Sequence, residues 1–383
     1  MYGCRGVWYP LSSDIWGNAT AESYNYAVWI GAAGWLAAHF WNNWLHTGDD
    51  TYIGEYAYPF FKEVARFYED YIVLDEDGVA QIMPSQSPEN KYVGCGYFPV
   101  GMCISSAMDV QIAYDALTFA FKAARHLNVD KEDADHWEQL RDRLPDFRIG
   151  KDGRLLEWDT DDKQEIEKGH RHVSHLYGVY PSNLFTPEHR KSQFEAAYKS
   201  LEYRLARSGG YTGWSSAWSA CLYARFLRGD KVEENLHHLI VNQSSSTLLE
   251  LHPDFHPESR QMSKKPSDEP ALFNKSPDRL PMIFQIDGNM GATAAVLESL
   301  VQYRDGIIYL LPALSKELSH RSVSGIRVEG GHVLDFSFED GKITSCCITI
   351  GYEDKAKIAG FGKDGGVLTV GAEPNSKKVV CAG

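Results

Sequence analysis

A change in the spacing of apolar residues at about residue 304 is the feature that most constrains the fold. Before it, apolar residues recur at helical spacing, most clearly in "YNYAVWIGAAGWLAAHFWNNWLH" over residues 24–46. After it, alternating segments such as "HVLDFSFED" and "KITSCCITI" are separated by Gly and Asp turns and predict strands. The sequence therefore predicts a mainly α-helical domain over residues 1–304 and a small C-terminal β-sandwich domain over residues 305–383.

The number of helices narrows the architecture of the first domain. Further helices are predicted over residues 58–73, 105–127, 131–144, 187–206, 214–227, 230–241 and 290–303, with almost no strands among them. No self-similarity of 34 or 40 residues is visible, which argues against a solenoid and favours an (α/α) toroid.

Composition excludes several classes of partner. The chain has 38 basic and 52 acidic residues, a net charge of -14, which disfavours nucleic acid and anionic membranes as partners. Seven cysteines without a CxxC pair argue against a disulfide framework or a zinc ribbon. No window of about 18 apolar residues occurs, so a soluble protein is expected. Aromatic residues make up 13% of the chain, and rings flanked by polar side chains suit sugar binding.

The segment "QIMPSQSPENKYVG" holds Glu89 in a polar, proline-rich environment. Pro88 restrains the backbone that presents this carboxylate. Two interpretations stay open from the residues alone: a loop glutamate that accepts hydrogen bonds from nearby amides, or a functional acid.

A second polar segment, "EKGHRHVSHLYGVYPSNLF", carries His170, His172 and His175. Zinc binding is one interpretation, but no HExxH motif accompanies these histidines. Structural histidines and histidines that donate hydrogen bonds to a polar ligand are the alternatives.

In "PMIFQIDGNMGATAAVLESL", Asp287 precedes a predicted helix. It is either an N-cap or a buried acid held ionised by the helix N-terminus. "GNMGAT" does not match a dinucleotide-binding loop, and the sequence indicates no cofactor. In "SGGYTGWSSAW", Trp214 and Trp218 are either part of a core stripe or a platform for a sugar ring, and the serines there do not form a GxSxG motif.

Six motifs, in this order, resemble glycoside hydrolase family 95: "DIWG", "PSQSPEN", "HRHVSHLYGVYP", "TGWSSAW", "FQIDGNMGATA" and "IYLLPAL". Known members are chiefly α-L-fucosidases, with some α-L-galactosidases. The resemblance implies an (α/α)6 catalytic barrel followed by a C-terminal β-domain, and an inverting exo-glycosidase that acts on a glycan. A barrel of six hairpins has about twelve helices, so the eight predicted here indicate an (α/α)6 toroid that lacks its first helices. It implies that Glu89 is the general acid, with a raised pKa, and that Asp287 polarises an asparagine amide that positions the attacking water. The sugar-binding residues it implies are His170, His172, His175, Trp16, Trp214 and Asn289.

Two departures from the family pattern lead to further expectations. Where many family fucosidases have "HHNTDIW", this chain has "YPLSSDIW", so L-galactose becomes a plausible substrate beside fucose. The water-holding "NxN" pair of the family is absent from residues 1–17. We therefore expect residue 1 to be an internal methionine of a longer, extracellular or periplasmic protein, and this chain alone to be catalytically weak or inactive and poorly soluble. A non-catalytic carbohydrate-binding fragment is the alternative.

Overall fold

The computed structural model describes residues 2–18, 29–94, 96, 98–252, 283–318, 320–361 and 366–381. Within them the chain divides into two compact units. The first consists of residues 1–167, 174–199 and 329–331, and the second of residues 168–173, 200–328 and 332–383. These units follow contacts rather than the predicted domain boundary at residue 304, and that boundary stays a prediction.

Helices dominate the first unit. They are α1 (Ala32–Thr47), α2 (Asp50–Tyr52), α3 (Tyr58–Tyr71), α4 (Ala107–Leu127) and α5 (Lys131–Asp142). A π-helical segment, Ile53–Ala57, joins α2 to α3 without a break. The helix predicted over residues 58–73 is α3, whose first residue, Tyr58, is the predicted one. A helical turn that the sequence did not predict precedes it and is capped by Asp49, whose side chain accepts from the Tyr52 amide.

One hydrophobic core holds these helices together. The largest buried side chains in it include Phe61, Tyr68, Leu117 and Trp137, each essentially inaccessible to solvent. The central helix of this core is α4, which begins at the N-cap Ser106 and ends at Asn128 in the left-handed conformation. Because α4 is buried along most of its length, residues at its N-terminus are held rigidly.

The prediction of almost no strands before residue 304 was wrong. Six short strands follow α3 within the first unit, and their antiparallel pairs are β1 with β2, β3 with β6, and β4 with β5. Their bounds are Ile72–Leu74, Ala80–Ile82, Ser85–Gln86, Tyr92–Val93, Pro99–Val100 and Met102–Cys103 for β1 to β6. Strands of two or three residues are too short for an alternating pattern to appear in the sequence.

The second unit combines helices with β-sheets. Helix α6 (Lys191–Leu205) has residues in both units, and α7 (Gly213–Arg225), α8 (Gly229–Asn242) and α9 (Ile286–Leu300) follow. The strand pair β7 (Leu251–His252) and β8 (Ile283–Phe284) precedes α9. Over the residues that the structure describes, each of the eight predicted helical stretches corresponds to a helix. The helix predicted from residue 24 begins at Ala32, and residues 24–28 of that prediction lie outside the described residues.

The C-terminal region is rich in strands, as predicted. Two four-stranded sheets, ordered β15-β14-β10-β9 and β11-β12-β13-β16, share one core that includes Ile308 and Ile358 of the first and Leu334, Phe336 and Ile348 of the second. All pairs are antiparallel except β10 with β14. The bounds of β9 to β16 are Val301–Arg304, Ile307–Leu310, His320–Arg327, Val333–Glu339, Lys342–Thr349, Lys355–Phe361, Gly366–Gly371 and Lys377–Cys381.

Candidate active site

Glu89 lies half-buried in the loop that follows β3, and the segment before it is tied to the N-terminus of α4. The Ser85 hydroxyl donates to Asp109 Oδ2 at 2.6 Å, and the Gln86 amide donates to the same oxygen at 3.3 Å. The Ser106 hydroxyl, which caps α4, also donates to the carbonyl oxygen of Gln86 at 3.1 Å. A buried, capped helix terminus therefore fixes the strand that leads to Glu89.

A second carboxylate holds the loop on both sides of Glu89. Glu157 Oε1 accepts from the Ser87 hydroxyl at 2.8 Å, and its Oε2 accepts from the Asn90 side-chain amide at 3.3 Å. The hydroxyl of Ser174 donates to the carbonyl oxygen of Pro88. Positions 87, 88 and 90 are thus each anchored by a buried side chain, and Glu89 is presented from a fixed backbone.

Burial and hydrogen bonds have opposite effects on the pKa of Asp109. Its side chain is completely buried, and loss of solvation raises its pKa from 3.8 to about 6, while the hydrogen bonds from Ser85 and Gln86 lower it in part. The carboxylate still accepts both bonds at neutral pH, since this pKa lies below 7. The expected rise in the pKa of Glu89 itself stays a prediction.

His175 lies beside the same carboxylate. It is buried in a 3-10 turn, Ser174–Leu176, with its Nδ1 4.0 Å from Glu157 Oε2. The side chain of Gln111 fixes the turn, because its Nε2 donates to the His175 carbonyl at 2.9 Å and its Oε1 accepts from the Gly178 amide at 2.7 Å. Glu157 therefore lies beside His175 and also holds two residues of the loop that carries Glu89, so two predicted site residues lie near one buried glutamate.

The other two predicted histidines lie in the second unit with Trp214. His170 is buried, and its Nδ1 accepts from the His172 backbone amide at 3.0 Å, so the neutral ring carries its proton on Nε2. The ring of His172 packs against Trp214 with centroids 4.5 Å apart. Arg204 donates to the His172 carbonyl at 2.9 Å, which fixes the backbone here. An imidazole edge beside a half-buried indole can bind both the hydroxyls and the apolar face of a sugar.

Asp287 and Asn289 lie in the first turn of α9, where Asp287 is exposed, so the interpretation of Asp287 as a buried acid was wrong. The N-cap is Gln285, so the N-cap interpretation of Asp287 was wrong by two residues. The Asn289 side chain accepts from the Glu250 amide at 2.9 Å and donates to the Leu248 carbonyl at 2.7 Å. Asn289 thus holds the preceding loop, and the sugar-binding role expected for it stays a prediction.

Glu250 connects the N-termini of α7 and α9. It has no solvent exposure, and a Cβ atom at Gly213 or at Gly288 would lie only 2.0 Å from its Oε1 or 2.4 Å from its Cγ, respectively. The first turns of both helices therefore contact the same side chain. This places Trp214, on α7, and Asp287, on α9, at neighbouring helix N-termini.

Trp16 occupies a different environment. Asp14 accepts from the Trp16 amide at 2.8 Å and from the Asn18 amide at 2.9 Å, which forms a tight turn. The Trp16 side chain is 81% exposed on this turn. The structure does not pack it into a pocket, and its predicted contact with the sugar stays a prediction.

The sequence did not predict three buried carboxylates that lie beside the predicted site residues, namely Asp109, Glu157 and Glu250. Only Glu157 has a recognisable signal, because it interrupts the apolar run "LLEW", and a buried charged residue is rare unless it is paired or hydrogen-bonded. Asp109 and Glu250 lie among ordinary helix-start and loop residues. Across the described ranges, no group of three or more His, Cys, Asp and Glu side chains could hold a metal ion.

Comparison with known proteins decides the family. Residues 1–300 match the model of the Glycosyl hydrolase family 95 catalytic domain. The chain belongs to glycoside hydrolase family 95. Since the match covers more than half of the chain, the predicted resemblance is confirmed, and family 95 members are glycosidases.

Curated relatives of this family 95 chain are fucosidases. It is 29% identical over 346 residues to "Alpha-L-fucosidase 2" of Arabidopsis thaliana, covering 89% of this chain and 38% of the relative. It is 24% identical over 393 residues to "Probable alpha-fucosidase A" of Aspergillus niger, covering 95% of this chain and 44% of the relative. The chain thus spans less than half the length of these relatives.

A solved structure has a related fold. A protein from the human microbiome that is assigned as a kojibiose phosphorylase superposes with a TM-score of 0.62 at 9% identity, covering 99% of this chain and 54% of that one. At this identity the similarity concerns the fold, which is of the six-hairpin glycosidase type. None of the helices in the described part of the chain is long and apolar enough to cross a membrane.

Proposed function

We propose that this chain forms the catalytic part of a glycoside hydrolase that removes terminal α-L-fucosyl, or related α-L-galactosyl, residues from glycans with inversion, on an (α/α)6 barrel. The observation that carries the proposal is the position of Glu89, which is half-buried on a loop whose neighbouring positions are anchored by buried hydrogen bonds. A glutamate with only a loop role needs no such support. The fucosidase relatives indicate the substrate class.

In this mechanism Glu89 protonates the departing glycosidic oxygen. The bond between the anomeric carbon and that oxygen breaks while water attacks from the opposite face, which inverts the anomeric configuration. The attacking water loses a proton as it bonds to the anomeric carbon, and Asp287, the base carboxylate, takes up that proton through an asparagine amide that it polarises. Its exposed position in the first turn of α9 supports this role, because the side chain is accessible.

His170, His172 and Trp214 are proposed to bind the sugar. The rigid backbone around them keeps the His172 ring against the indole. Fucose and L-galactose differ by one hydroxyl on C6, so the residues that contact this carbon decide between them.

Proton NMR of the first-formed sugar tests the reaction. Incubation with a terminal α-L-fucosyl oligosaccharide, at protein concentrations high enough to measure single turnovers, is expected to give the β-anomer first. An L-galactosyl substrate in parallel identifies the preferred sugar. Initial formation of the α-anomer would exclude inversion.

Substitution of the two acids tests their roles. Glu89→Gln keeps the shape but removes the proton, and is expected to slow hydrolysis of an unactivated glycoside by about 10²–10⁴-fold. An activated aryl glycoside should be slowed much less, because its leaving group needs little protonation. Asp287→Asn should lower the rate far more than it lowers the melting temperature.

The second candidate is a non-catalytic carbohydrate-binding protein, because the adjoining rings of His172 and Trp214 could also bind a sugar without catalysis. It predicts saturable binding of fucosyl glycans without release of free sugar, and unchanged binding by Glu89→Gln. Calorimetric titration beside the NMR assay separates the two functions.

A further inference from the structure

The two oxygens of the Glu157 carboxylate accept hydrogen bonds from residues before and after Glu89 in the sequence, and Glu89 is the proposed proton donor. One oxygen accepts from Ser87, two residues before Glu89, and the other accepts from Asn90, the residue after it. The Glu157 side chain is 5% exposed. Water therefore cannot easily replace these bonds, so their loss would release the loop.

A carboxylate is the group that this position requires. Asn90 Oδ1 already accepts from the Lys91 amide at 2.9 Å, so the Asn90 side chain must present its amide hydrogens to residue 157. The Ser87 hydroxyl also donates toward this position. An ionised carboxylate accepts at both oxygens, whereas a glutamine would place its own amide hydrogens against one of the two donors.

The rest of the local network leaves this task to Glu157. Asp109 holds Ser85 and Gln86, which lie farther from Glu89 along the chain. The Ser174 hydroxyl holds the carbonyl of Pro88. Only Glu157, among the contacts that the structure describes here, fixes a residue before Glu89 and a residue after it through one side chain.

We propose that Glu157 is a positioning residue for the general acid: it holds the Glu89 carboxyl where its proton reaches the glycosidic oxygen. The inference rests on the proposed function. Proton transfer requires about 2.6–3.2 Å between donor and acceptor atoms, and a misplacement of about 1 Å can cost roughly 10²-fold in rate. Glu157 itself does not touch the substrate.

The test compares Glu157→Gln and Glu157→Ala with the wild-type chain on two substrates with different leaving groups. For an unactivated fucosyl disaccharide, kcat is expected to fall about 10- to 100-fold with little change in KM. For a 2,4-dinitrophenyl glycoside, kcat should fall less than about threefold, since that leaving group departs without a proton. A variant that merely loses stability would lose activity equally on both substrates.

Asp115→Asn is the matched control. Asp115 is also a buried carboxylate of the first unit, but its hydrogen-bond partners are Ser182 and Tyr177, outside the Glu89 loop. This control should leave the ratio of the two rates unchanged. All assays are run well below the melting temperature of each variant.

Hydrogen exchange gives a readout that does not depend on catalysis. Amides of residues 85–91 are expected to exchange about tenfold faster in Glu157→Ala, which corresponds to the loss of about 1.4 kcal/mol of local stabilisation. The same peptide in Asp115→Asn should exchange as in the wild type. Unchanged exchange in Glu157→Ala, or equal loss on both substrates, overturns the inference. If exchange is faster in Glu157→Ala but the wild-type chain releases no sugar, the proposed function is refuted while the assignment of Glu157 to the loop is kept.

Discussion

Replacement of Asp115 by asparagine should affect stability more favourably at pH 8 than at pH 4, when the variant is compared with the wild type at each pH. Burial raises the pKa of Asp115 from 3.8 to about 7, against the hydrogen bonds of Ser182 and Tyr177 and the charges of Lys122 and Arg190. A carboxyl whose folded pKa is raised stabilises the fold below its unfolded pKa, and this contribution is lost as the pH rises through the folded value. In the wild type the loss therefore occurs between about pH 4 and pH 7.

The magnitude follows from the pKa difference. A rise of about three units corresponds to about 4 kcal/mol, since each unit is worth about 1.36 kcal/mol. Asparagine has no ionisation, and its neighbouring hydroxyls can rotate to meet an amide. Whatever Asp115→Asn costs in packing applies at both pH values, so the difference between its effects at pH 8 and pH 4 isolates the ionisation.

Urea unfolding followed by tryptophan fluorescence measures this difference. The free energy of unfolding of the variant, minus that of the wild type, is expected to increase by about 4 kcal/mol from pH 4 to pH 8. Asp109, whose pKa is also raised, is present in both proteins and cancels. If this difference changes by less than about 1 kcal/mol between pH 4 and pH 8, ionisation of Asp115 does not destabilise the folded protein.

Three further substitutions test packing and sugar binding. Gly288→Ala should lower the free energy of unfolding by about 1–3 kcal/mol, because its Cβ would lie 2.4 Å from the Cγ of buried Glu250. Gly54→Ala should instead raise the free energy of unfolding by about 0.4–1 kcal/mol, because its Cβ would lie no closer than 3.6 Å to another atom. Equal melting temperatures of the two variants would contradict both predictions. Trp214→Ala should raise KM for a fucosyl glycan about 2- to 10-fold through loss of the ring that supports His172; an unchanged KM would remove Trp214 from the sugar site.

Local sequence patterns were sufficient for the helices and for the change to strands. The run that forms α4 has apolar residues on nearly every face, a serine before it and a left-handed asparagine after it, and its predicted end at residue 127 is the observed one. These signals act within one or two helical turns, so they are readable without tertiary contacts. The resemblance to family 95 rested on six short motifs and needed no structure.

The support of Glu89 was not readable in this way. Glu157 is 70 residues from Ser87, and Asp109 is 24 residues from Ser85. Hydrogen bonds between such distant residues depend on how the loop, α4 and the segment before residue 160 pack together, which no local pattern encodes. The sequence also left open whether Asp287 was an N-cap or a buried acid, and the structure supports neither, because the N-cap is Gln285 and Asp287 is exposed.

The contact between Glu250 and the two glycines also has an evolutionary consequence. A methyl group at Gly213 or Gly288 collides with the Glu250 side chain, so the three positions cannot drift independently. If residue 250 first becomes smaller, alanine can be accepted at positions 213 and 288. If alanine appears first at either position, the protein is destabilised until residue 250 changes. Among relatives, substitutions at positions 213 and 288 should therefore appear in sequences where position 250 has already become smaller.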